Sequence, residues 1–67
     1  MINKLDVFRT AHLFIIQHGD DASLHAAMKA DYFLGKGDVE GHLVWMRVKR
    51  AIEELQSKER PHGLTPH

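Results

Sequence analysis

Two glycine–aspartate breaks constrain this chain more than any other feature. Gly19-Asp20-Asp21 and Gly35-Lys36-Gly37-Asp38 divide it into three stretches, each long enough for a helix and none alternating usefully as a strand would. At each break a glycine can take the left-handed backbone that ends one helix. An aspartate can then accept the unpaired amides that open the next.

The first stretch runs from about Asn3, a plausible N-cap, to His18, and its apolar positions Leu5, Phe8, Ala11, Ile15 and Ile16 recur at helical spacing. Val7 and Phe14 widen that face to about half the circumference. The second stretch opens at Ala22 and reaches Leu34 or Gly35. Its expected inward face is Ala26, Ala27, Ala30, Phe33 and Leu34, bordered by Leu24 and Met28. The third, Val39 to about Ser57, carries the clearest stripe: Val44, Trp45, Val48, Ala51, Ile52 and Leu55. Residues 58–67 are polar and broken by Pro61 and Pro66. Short connections favour antiparallel neighbours. The expected architecture is therefore all-α: a three-helix up-down-up bundle over residues 1–57, with Trp45 near its centre, then a disordered tail over 58–67.

With 67 residues, the core is small and supplies roughly 3–5 kcal/mol by itself. The chain has no cysteine, which excludes disulfides and thiolate metal sites and leaves regular helix packing, self-association or a histidine/carboxylate site as support. Nine basic residues balance nine acidic ones, unlike the basic excess of a non-specific nucleic-acid binder. No apolar run approaches the roughly 20 residues of a membrane span. The opening Met1-Ile2-Asn3-Lys4-Leu5-Asp6 has no signal-peptide character. A cytoplasmic protein is expected.

Residues from about Ala11 to Gln56 resemble a family of small helical proteins of unknown function from alphaproteobacteria. The matching pieces are Gln17-His18-Gly19-Asp20-Asp21-Ala22, Ala26-Ala27-Met28-Lys29-Ala30-Asp31, Lys36-Gly37-Asp38-Val39-Glu40-Gly41-His42, Trp45, and Arg50-Ala51-Ile52-Glu53-Glu54-Leu55. The resemblance implies a compact helical unit in a bacterial cytosol. It carries over no catalytic residue and no cofactor.

Candidate chemistry is sparse. Asp21/His25 and Asp38/His42 have the one-turn spacing of metal ligands sharing a helix face. In an antiparallel hairpin, however, the two pairs sit at opposite ends, and zinc needs three or four protein ligands. Helix capping by the aspartates is the expected role, with no metal and no cofactor. Asp31, on the Leu24/Ala27/Leu34 side, is expected to be partly buried and paired with another helix. Gly35-Lys36-Gly37 lacks the spacing and the preceding strand of a phosphate loop. No Ser/His/Asp arrangement has recognisable context, so an enzyme is not expected.

Two readings of helix three remain. Arg47, Lys49 and Arg50 after a glycine-containing turn invite a DNA-binding helix-turn-helix. The N-terminal Val39-Glu40-Gly41-His42 suits base contacts poorly, and Glu53 and Glu54 lie within a turn of Lys49 and Arg50. Opposite the core stripe, Val39, Leu43, Met46 and Arg50 line up at three- and four-residue spacing. Exposed apolar surface of this kind marks a contact site. A homodimer through these four residues, serving as an interaction module for a further protein, is the favoured expectation.

Overall fold

The computed structural model describes residues 4–59 and the side chains of 5–57. The suggested Asn3 cap and residues 60–67 of the expected tail lie outside the described residues. All described backbone is helical except Lys36–Asp38. The first helical run comprises α1 (Lys4–His18), a single 3-10 turn (Gly19–Asp21) and α2 (Ala22–Gly35). The second is α3 (Val39–Glu59), which continues two residues past its expected end.

The first break therefore differs from expectation. α1 ends at His18, and Gly19 takes the left-handed backbone expected of it. A single 3-10 turn then leads directly into α2, so the chain forms two helical runs where three separate helices were expected. Gly19 bends the run with φ +61°, and the Ala22 amide donates to the Gly19 carbonyl inside the turn. Amides taken up by backbone need no side-chain cap, and Asp21 makes no capping bond.

The second break works as the sequence suggests. Gly37, at φ +81°, lets the chain reverse, so that the Gly37 amide donates to the Leu34 carbonyl and the Asp38 amide to the Phe33 carbonyl. Asp38 then opens α3, its Oδ1 accepting the Gly41 amide at 2.9 Å. Gly41 itself leaves no room for a larger residue. A Cβ there would lie 2.8 Å from Asp38 Oδ2 and 3.0 Å from the Phe33 ring. Asp38→Ala is expected to cost about 1 kcal/mol, which a thermal melt would register as a fall of about 4–8 °C in Tm.

α2 and α3 pack as an antiparallel hairpin fastened at both ends. Near the tight turn, His42 Nδ1–H donates to the Ala30 carbonyl at 2.8 Å. At the far end, Gln56 Nε2 donates to the Gly19 carbonyl at 2.8 Å. α1 lies against this pair, more extensively on α3 than on α2. The buried residues are Val7 and Ala11 of α1, Ala22, Ala26 and Ala30 of α2, and Val48, Ala51 and Ile52 of α3.

Small residues select the packing face of α2. Ala22, Ala26 and Ala30 are fully buried, while Leu24 and Leu34 remain 58% and 49% exposed. An alanine ridge lets helix axes approach closely, and that approach turns the bulkier leucines outward. This corrects the expected place of Asp31. It lies roughly opposite the ridge and is exposed rather than partly buried. Leu5 and Ile16 of α1 are likewise exposed, although their spacing placed them inward. Trp45 is half-buried at the rim, against Phe14 at 5.2 Å between ring centroids, rather than near the centre of the bundle. The centre belongs to Val48 and Ile52.

Candidate interaction surface

The inward side of α3 is fixed by Val48, Ala51 and Ile52. At about 100° per residue, Val39, Leu43, Met46 and Arg50 fall within an arc of roughly 60° on the opposite side. The structure leaves them open: Val39 is 56%, Leu43 52% and Met46 41% exposed, and Arg50 is exposed as well. Leu43, Met46 and Arg50 share a shallow groove with Arg47, Lys49 and Glu53. All four residues singled out from the sequence thus lie together on one accessible face.

The neighbouring charges are lightly committed. Lys49 Nζ meets Glu53 Oε2 at 2.7 Å across one helical turn, an exposed pair contributing about 0–1 kcal/mol. Arg47, Arg50 and Glu40 are exposed and form no ion pair among the described residues.

The histidines have other occupations than the suggested ligand pairs. His42 holds Ala30, and Asp38 caps α3. The His25 ring stacks on that of His18, with centroids 3.8 Å apart and planes 19° from parallel. Phe14 meets His18 edge-on at 5.2 Å, so His25, His18, Phe14 and Trp45 form a continuous ladder of rings. Lys29 Nζ lies 5.8 Å from the Trp45 ring centre, within cation–π range. Sequence reasoning missed this ladder. Its signal was the position of His18 immediately before Gly19 and of His25 six residues after it, since a bend at Gly19 brings the two flanking turns together. Among the described residues, no group of three histidine or carboxylate side chains gathers at a metal-binding distance.

Two further apolar faces are exposed. Met28 and Tyr32 border the cleft beside the ring ladder, with Leu24 on the same helix. On α1, Leu5 and Leu13 line a shallow groove with Phe8, Arg9 and His12. Among the described residues, no helix is long and apolar enough to cross a membrane. Comparison with protein-family models, curated proteins and solved structures finds no match for this chain.

Proposed function

We propose that this chain is a non-enzymatic, cytosolic helical module that binds protein surfaces and pairs with a second copy of itself, serving as adaptor or regulator for a larger partner. One observation carries the reading. The line Val39, Leu43 and Met46 lies exposed along the longest helix, opposite a core whose largest fully buried side chains are only Ile52 and Val48. A small core gains most from burial shared with a copy, and a two-fold contact supplies that burial twice. Methionine and arginine are also enriched at interfaces, which suits Met46 and Arg50. In this reading α1, α2 and α3 act as an up-down-up bundle. The exposed faces of α1 and α2 are left for a different protein. The bacterial setting rests on the family resemblance alone.

Sedimentation of the chain from low to high micromolar concentration tests the pairing. The expected mass is twice the 7.7 kDa of one chain. A single-chain mass throughout that range refutes it. The alternative, a DNA-binding regulator, draws on the proximity of Arg47, Lys49 and Arg50 along one groove. The antiparallel packing of α2 on α3 favours the protein-binding reading, since helix-turn-helix pairs cross at a wide angle. A gel shift at two salt concentrations separates the two: salt-sensitive retardation would support the regulator.

A further inference from the structure

Charge placement around the α3 stripe specifies how a second copy would sit on it. Glu40 and Arg47 are seven residues apart in the sequence, nearly two full turns. They therefore lie on the same flank of the Val39/Leu43/Met46 line, about 10 Å apart along the axis. Both are exposed, and neither is engaged in an ion pair among the described residues.

When two identical helices pack face to face and antiparallel about a two-fold, like flanks meet. A residue above the axis then faces the residue equally far below it on the partner. An axis midway between Glu40 and Arg47 passes at the level of Leu43 and Val44. Glu40 of each copy then faces Arg47 of the other, twice per dimer. Leu43 meets its own copy at the axis, and Met46 reaches the level of position 41, between Val39 and Leu43 of its partner. Val39, Leu43 and Met46 are all covered by the partner's α3.

Other alignments are worse. A two-fold at Arg47 sets that cation against its own copy and Glu40 against Glu54. An axis between Arg47 and Glu54 restores an opposite-charge pair but carries Val39 past the end of the partner's α3 and leaves Leu43 at its last turn. Parallel packing joins opposite flanks at equal height, bringing Arg47 beside Lys49 and Glu54 beside Glu53. Like charges so placed count against those arrangements.

We infer that α3 binds a second copy of this chain antiparallel, with the two-fold at Leu43 and reciprocal Glu40–Arg47 pairs fixing the register. The inference rests on the proposed self-association, and its test is arranged to separate the two. Glu40→Arg and Arg47→Glu are prepared singly, together in one chain, and as an equimolar mixture of the single variants. Mass and composition are read by sedimentation and native mass spectrometry.

Each single variant puts two like-charge contacts into its homodimer and is expected to pair at least about 10-fold more weakly than the parent. The mixture is expected to form 1:1 heterodimers in preference to either homodimer, because every contact then joins opposite charges. The chain carrying both changes should regain homodimerisation. Rescue in the mixture also shows that each variant folds. If the parent dimerises and the mixture shows no preference for heterodimers, the register is wrong while self-association stands. A parent that stays monomeric overturns both, assigning the stripe to another occupant.

Discussion

Ile52→Ala is expected to remove most of the protein's stability. Ile52 is fully buried and sits where all three helices meet, in one cluster with Val7 and Ala11 of α1 and Ala22 and Ala26 of α2. Truncating a buried isoleucine to alanine costs about 2–5 kcal/mol, combining lost transfer free energy with the cavity left behind. The ridges around it are largely alanine, which has no side-chain length with which to refill the space. A core this small provides roughly 3–5 kcal/mol in total, so one substitution removes most of the margin. Leu24→Ala is the control: the same kind of truncation at an exposed site should change stability by about 0.5 kcal/mol or less. Urea titration followed by circular dichroism distinguishes them. Equal midpoints for the two variants would show that Ile52 is not at the centre of the core.

The second large effect is expected on assembly rather than on folding. The double change Leu43→Glu/Met46→Glu should convert a dimer to a single chain of 7.7 kDa while leaving helicity intact. Both side chains are about half exposed, so glutamates there remain in water in the monomer. In the proposed dimer the same positions are dry. Four carboxylates would then lie close to the two-fold without added cations, and an uncompensated buried charge costs about 3–5 kcal/mol. Even the lower figure weakens association by more than about 100-fold. Light scattering of parent and variant side by side reads the result. A variant that keeps the mass of a dimeric parent would place the contact elsewhere, with the exposed faces of α1 and α2 next in line.

Much of the fold was legible because local chemistry encodes it. Helical spacing sets the extents of α2 and α3 to within two residues. Gly37 and Asp38 announce a turn and a cap that need no distant contact to form. The stripe Val39, Leu43, Met46 and Arg50 was equally legible, because once Val48 and Ile52 face inward the geometry of an α-helix sends those four outward.

What periodicity could not decide was which of several apolar faces would be buried. α1 and α2 each carry apolar residues around more of their circumference than one contact can cover. The choice fell to axis separation, a property of pairs of helices and not of either alone. The alanine ridge of α2 admits the closest approach, so Leu24, Leu34 and Asp31 turn outward and Trp45, too bulky for the gap, stays at the rim. The first break was decided in the same way. A glycine followed by two aspartates is compatible with a full stop or a tight bend. The Gln56–Gly19 bond and the packing of α1 on α3 accompany the bend, in which a 3-10 turn joins α1 directly to α2. The stacking of His18 on His25 follows from that bend, through a direction of the chain that local sequence does not carry.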